Sequence, residues 1–170
     1  MKELILGGVR SGKSKLAEQH ALATGLPVTY IATATADDEE MHGRIAHHQA
    51  QRCAHWQLLE EPLALATALQ HAAKNDHCVL VDCLTLWLTN LLCAVSETRM
   101  QQEIAALLQA LPELPGTIIL VSNETGMGVV PLGELTRRYC DEAGRLHQNI
   151  ALICERVILT VAGLPLHLKG

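Results

Sequence analysis

The run Gly7-Gly8-Val9-Arg10-Ser11-Gly12-Lys13-Ser14 fits the spacing G-x-x-x-x-G-K-[ST] at every fixed position. That spacing binds polyphosphate. The glycines let the backbone close around phosphate oxygens. The first N–H groups of a following helix have no partner inside it, so they bind the same oxygens. Lys13 supplies a point charge to the β and γ oxygens, and the Ser14 hydroxyl is a ligand for Mg²⁺. Asp82 is the next candidate. Four apolar residues lead into it, the form of a buried strand that ends in an acid. Such an acid beside a phosphate loop holds Mg²⁺ directly or through water. Ser14 and Asp82 are therefore the metal candidates.

A third group lies between Arg44 and Arg52, where His47 and His48 are adjacent. Neighbours on a helix point about 100° apart, so the two cannot face one target squarely. Met41, Ile45 and His48 cluster on the wheel, while Glu40, Arg44, His47 and Gln51 form the more polar face. His48 thus sits at the edge of the apolar stripe, where packing can fix its ring. Arg44, one turn earlier, can reach a phosphate near it. A fixed neutral imidazole is a nucleophile toward phosphorus. On residue physics alone, however, the segment reads first as a solvated helix face. Glu60-Glu61, before Pro62, either favour a helix start or offer a carboxylate to a ribose or base. Asn123-Glu124-Thr125-Gly126-Met127-Gly128 follows a strand and is either a substrate loop or a plain connection.

Alternating strands and helices must position these groups, which predicts an α/β fold with a mainly parallel sheet. The predicted strands are 4–6, 28–32, 78–82 and 117–122. Two last strands, 157–161 and 165–168, are joined by a turn short enough to make an antiparallel edge pair. Predicted helices cover 15–23, 37–51, 62–74, 84–95, 98–111 and 131–153. Thr35 is the expected cap of the second, whose first turn carries the acids Asp37 to Glu40. Pro62 and Pro131 are expected to open their helices. Ligands collect at the carboxyl ends of strands in such sheets.

A chain of 170 residues, nearly half hydrophobic and 18% charged, is expected to form one globular domain over 1–170. With no Phe, its core must be built from Leu, Ile, Val and Ala. A net charge of −5 argues against nucleic acid as the main partner. The six cysteines form no C-x-x-C, so zinc-site spacing is absent, and several read as small core residues in a reducing cytoplasm. The chain runs at once into a strand and loop, which leaves no room for a signal peptide. No apolar run is long enough for a transmembrane segment.

The whole set resembles the bifunctional adenosylcobinamide kinase / adenosylcobinamide-phosphate guanylyltransferase family of cobalamin biosynthesis. The phosphate loop, Tyr30-Ile31-Ala32-Thr33 and Arg44-Ile45-Ala46-His47-His48 carry the resemblance. So do His55-Trp56 with Glu60, Asp82-Cys83-Leu84-Thr85 with Asn90, the loop Asn123 to Gly128, Gly144-Arg145 and Ala162-Gly163-Leu164-Pro165. The resemblance implies a RecA-like P-loop fold, a cytoplasmic homotrimer, and two reactions. ATP or GTP phosphorylates the aminopropanol hydroxyl of adenosylcobinamide. GMP then passes from GTP to adenosylcobinamide phosphate through a GMP–histidine intermediate, releasing pyrophosphate. The family nucleophile aligns best with His48, with His47 as the alternative. Family nucleotide contacts map onto the phosphate loop, Thr33, Arg44, Gln49, Ala50, Gln51, Glu60 and Asp82. Val9, Cys53 and His147 depart from the usual Ala, Pro and Asn. The competing readings are a P-loop small-molecule kinase without guanylyltransferase activity and a nucleotide-driven switch that makes no small product.

Overall fold

The computed structural model describes residues 1–34 and 56–170. Seven strands form one sheet: β1 (Lys2–Gly7), β2 (Val28–Ala32), β3 (Gln57–Glu60), β4 (Cys78–Asp82), β5 (Thr117–Asn123), β6 (Arg156–Val161) and β7 (Leu164–Lys169). Their spatial order is β3-β2-β4-β5-β1-β6-β7. Every pairing is parallel except β6 with β7. The helices are α1 (Lys13–Ala23), α2 (Leu65–Ala72), α3 (Leu84–Ala94), α4 (Glu97–Ala110) and α5 (Glu134–Ile153), with a 3-10 turn at Leu111–Glu113. The predicted α/β class and the antiparallel edge are borne out.

The central strands read as continuous apolar runs because both faces of the sheet are covered. Successive side chains point to opposite faces. On one face Leu4, Leu6, Ile31, Val79, Val81, Ile118 and Leu120 pack with residues of α2, α3, α4 and α5. On the other Ile5, Tyr30, Leu80, Ile119 and Val121 pack with Ala17 and Ala21 of α1. Those two alanines are fully buried, so α1 lies close to the sheet. Trp87 of α3 is also fully buried, and its indole N–H donates to the Leu63 carbonyl at 2.8 Å. This contact ties α3 to the turn that precedes α2. Tyr30 and Trp56 stack with centroids 6.5 Å apart.

Three local expectations differ from the structure. Strand β3 was not foreseen, because its four residues sit at the sheet edge and only Leu59 is half-buried. That is too short a pattern to reveal a period. The helix expected from Pro62 begins at Leu65 and ends at Ala72. The Glu61 carboxylate accepts from the N–H groups of Leu63 and Ala64 at 2.9 and 2.8 Å, which stabilises a turn before the helix. Likewise α5 begins at Glu134 rather than Pro131. The Arg137 guanidinium reaches back to the carbonyls of Pro131 and Leu132, so these residues lead into the helix instead of joining it. The predicted helix 37–51 lies outside the described residues.

Candidate active site

The strand order decides where the loops meet. Strand β5 lies between β1 and β4, so the chain leaving β5 emerges between the phosphate loop and Asp82. Gly7 pairs with Asn123 on one side and Thr160 on the other. Asp82 pairs with Ala32 and Val121. The strand ends carrying Gly7, Ala32, Asp82 and Asn123 therefore form one edge, where ligands bind in open α/β sheets.

The loop from Gly7 to Ser14 has the conformation its glycines allow. Gly12 sits at φ 96° before the first turn of α1. A Cβ there would meet Gly163 Cα at 3.1 Å in a left-handed backbone that side chains resist. At Gly7 a Cβ would collide with Ser11 Oγ and lie 2.7 Å from the Thr160 carbonyl. Both positions thus require glycine. Arg10, exposed at the loop tip, holds φ 56°, a costly state for a residue with a Cβ. The Ser11 N–H donates to Gly8 O at 3.2 Å, and Gly163 N–H donates to Ser11 O at 2.8 Å. The turn between β6 and β7 thereby braces the loop. The Lys13 ammonium donates to Gly8 O at 3.3 Å, folded back over the loop. Val9 is exposed, and Ser14 is partly exposed in the first turn of α1.

Asp82 ends β4 and is partly exposed. The strand end is locked by Thr33, which is fully buried. The Thr33 hydroxyl donates to Cys83 O at 2.7 Å and accepts from Cys83 N–H at 3.0 Å. Asn90 of α3 donates to Thr33 O at 2.8 Å and to Pro62 O at 3.2 Å. Thr33 is thus placed at the site, but its hydroxyl is committed to backbone. Cys83 is no nucleophile: burial, with the charge of Asp82 adding to it, pushes its thiol up to about 11. Glu60 ends β3 at the outer edge, opposite Ala32, and is exposed. Arg44, His47, His48, Gln49, Ala50 and Gln51 lie outside the described residues.

A buried polar group stands beside the loop. His147 of α5 places Nε2 2.8 Å from Ser122 Oγ at the end of β5. The Thr85 hydroxyl lies 3.4 Å from Ser122 Oγ and accepts from the Asn123 N–H at 2.7 Å. His147 Nδ1 lies 3.8 Å from a carboxylate oxygen of Glu124. Burial holds the His147 imidazole below the usual histidine range, against the opposing pull of Glu124. Sequence reading missed this group. Its signal is the position of His147 on the buried face of α5, with Ala143, Leu146 and Ile150.

The donor set at this edge suits Mg²⁺. Among the described residues no group of three or more His, Cys, Asp or Glu could cage a metal. Magnesium does not need one, because it takes one or two protein oxygens and fills its octahedron with phosphate oxygens and water. Ser14 and Asp82 are hard oxygen donors of that kind.

Comparison with known proteins agrees with this geometry. A family model described as cobinamide kinase / cobinamide phosphate guanyltransferase matches residues 3–168. A Pseudomonas aeruginosa protein named bifunctional adenosylcobalamin biosynthesis protein CobP is 66% identical over 170 residues, covering 100% of this chain and 98% of that one. The Salmonella typhimurium protein of the same description, CobU, is 38% identical over 183 residues, covering 99% of this chain and all of that one. Among solved structures, the RadB recombinase superposes with a TM-score of 0.51 at 16% identity, covering 93% of this chain and 73% of its own. The last likeness concerns fold alone. The match along almost the full length shows that the chain belongs to the cobinamide kinase / cobinamide phosphate guanyltransferase family.

Proposed function

We propose that one nucleotide site in this chain performs two successive transfers. In the first, the γ-phosphoryl group of ATP or GTP passes to the hydroxyl of adenosylcobinamide. In the second, His48 attacks the α-phosphorus of GTP and pyrophosphate leaves. The phosphate of adenosylcobinamide phosphate then displaces GMP from the histidine, giving adenosylcobinamide-GDP. The observation that carries this reading is the glycine-braced loop beside Asp82 on one sheet edge.

Lys13 and the loop N–H groups neutralise the phosphates that are transferred or released. Ser14 and Asp82 would hold Mg²⁺, which when bound spreads the negative charge of the phosphates. Arg44, four residues before His48 in the sequence, stabilises the oxygens on the attacked phosphorus, and Gln49, Ala50, Gln51, Thr33 and Glu60 complete the nucleotide contacts. Thr33 does so by its place at the site, since its hydroxyl is bonded to Cys83. We read residues 1–170 as one nucleotide-binding domain of a cytoplasmic homotrimer. No helix among the described residues is long and apolar enough to cross a membrane. What supports self-association is the open edge strand β7, where Leu164, Leu166 and Leu168 are 71%, 56% and 56% exposed. Open apolar edges are normally covered.

The test is stepwise product analysis. With adenosylcobinamide, Mg²⁺ and ATP alone, the protein should accumulate adenosylcobinamide phosphate. Adding GTP should convert it to adenosylcobinamide-GDP with one pyrophosphate per turnover. A product that stops at the phosphate whatever nucleotide is present would leave only the kinase.

A further inference from the structure

We propose that Glu124 is the base that takes the proton from the substrate hydroxyl in the kinase step, and that His147 and Ser122 position its carboxylate. The inference rests on the kinase reading above.

The two reactions differ in what they need. A hydroxyl that attacks phosphorus must lose a proton. The phosphate that attacks in the second reaction is already an anion. Only the first therefore calls for a base. In that step the hydroxyl oxygen bonds to the γ-phosphorus and the bond from that phosphorus to the β,γ-bridging oxygen breaks. The proton passes to the base and then to water, and the nucleoside diphosphate leaves.

The strand ends of the described residues offer four acids. Asp82 is the metal candidate. Glu61 follows the outermost strand β3, and its Oε1 is turned to the N–H groups of Leu63 and Ala64 ahead of α2. Glu60 lies on the outermost strand, three strands from β5. Glu124 follows β5 directly, between the phosphate loop and Asp82, and its N–H donates to the Gly7 carbonyl at 3.0 Å. It is thus fastened to the first residue of the phosphate loop. A groove of about 280 Å³ opens beside it, lined by Thr125, Gly126, Val130, Arg137 and Asp141 among others, with room for a substrate arm.

The carboxylate is held at one oxygen and faced at the other. Oε1 accepts from the Gly126 N–H at 2.6 Å, and Oε2 faces His147 Nδ1 at 3.8 Å, a contact longer than a hydrogen bond. Its side chain is 22% exposed, so it is fixed yet reachable. One proton arrangement suits every member of the group behind it. Asn123 N–H donates to the Thr85 oxygen, Thr85 O–H to Ser122 Oγ, and Ser122 O–H to His147 Nε2. The imidazole proton then sits on Nδ1, toward Glu124. The other tautomer would turn a lone pair to the carboxylate. Burial keeps the ring neutral, so it orients Glu124 without forming a full ion pair that would quench its basicity. The closeness of Ser122, His147 and Glu124 resembles a hydrolase triad, but Ser122 is 1% exposed and cannot reach a substrate.

The test uses the full-length protein with each half-reaction assayed alone. Glu124→Gln should lower kcat for adenosylcobinamide phosphorylation by about 100-fold or more, the usual size of general-base catalysis. Its KM for ATP should change little. The ratio of kinase to GMP-transfer rate, the latter measured on supplied adenosylcobinamide phosphate, should fall by a similar factor. Glu124→Asp should recover part of the loss. His147→Asn should retain most kinase activity, because its amide N–H can take the place of Nδ1 and face Glu124, whereas His147→Leu should lose about tenfold in kinase kcat. Equal losses of both half-reactions in Glu124→Gln would overturn the proposal, since they would make Glu124 a support of the loop. So would an unchanged kinase rate. Equal kinase rates in His147→Asn and His147→Leu would overturn the positioning role. Wild-type protein that makes no phosphorylated corrinoid would overturn the kinase reading as well.

Discussion

At the scale of single residues, the phosphate loop was legible because its chemistry is local. Eight consecutive residues carry the glycines, the cation and the hydroxyl, and the structure folds them as the spacing predicts. Lys13→Ala should lower the kinase rate by roughly 100-fold, the usual loss when one preorganised charge is removed. Thermal unfolding should barely move, because the side chain lies outside the core. Near-normal turnover would contradict the reading of the loop. The Ser122–His147 contact was not legible, because it joins residues 25 apart in sequence through a helix packed on the sheet. It has a measurable consequence. The folded-state pKa of His147 lies below the unfolded value of 6.5. Above pH 6.5 both states carry a neutral ring, and the full stability is present. As pH falls below it, the unfolded chain binds a proton that the folded one refuses, so stability drops until the folded pKa is reached. Chemical denaturation between pH 7 and 5 should show a slope that His147→Asn lessens.

At the scale of elements, the strands and helices of the sheet centre were read closely. Their apolar runs are long and both faces are buried. The failures are at margins. Strand β3 is four residues with one half-buried position. The starts of α2 and α5 are set by side-chain contacts from Glu61 and Arg137, which no hydrophobic period encodes. Thr33 shows how an element end serves the site. Its hydroxyl satisfies both backbone groups of Cys83, the residue after Asp82. Thr33→Val keeps the shape but leaves the buried Cys83 N–H unpaired, at a cost of about 1–3 kcal/mol, while the Cys83 carbonyl keeps the Trp87 N–H at 3.2 Å. Urea unfolding should report that loss, and the mutant should also weaken metal-dependent activity by loosening Asp82. Asp82→Asn separates the roles of the acid itself. If Asp82 holds Mg²⁺, raising Mg²⁺ should partly restore activity. Lower GTP affinity without rescue would point to a ribose contact.

At the scale of the whole molecule, the sheet order does most of the positioning. Placing β5 between β1 and β4 gathers the phosphate loop, Asp82 and Glu124 on one edge. Sequence gives the strands but not their order, so this adjacency needed the structure. The family resemblance leads to the expectation of a trimer, with the exposed leucines of β7 as a surface for self-association, and light scattering should return three times the chain mass of 18.5 kDa. A monomer at working concentration would contradict it. The central claim is that the same site that phosphorylates also carries GMP on a histidine. Intact-mass measurement after incubation with GTP and Mg²⁺, with no corrinoid present, tests it most directly. The account predicts a mass increase of one GMP that is labile in acid and stable in base. It should be discharged by adenosylcobinamide phosphate, absent in His48→Ala and retained in His47→Ala. A chain that takes up no GMP, or a His48→Ala chain that takes it up as the wild type does, would contradict the account.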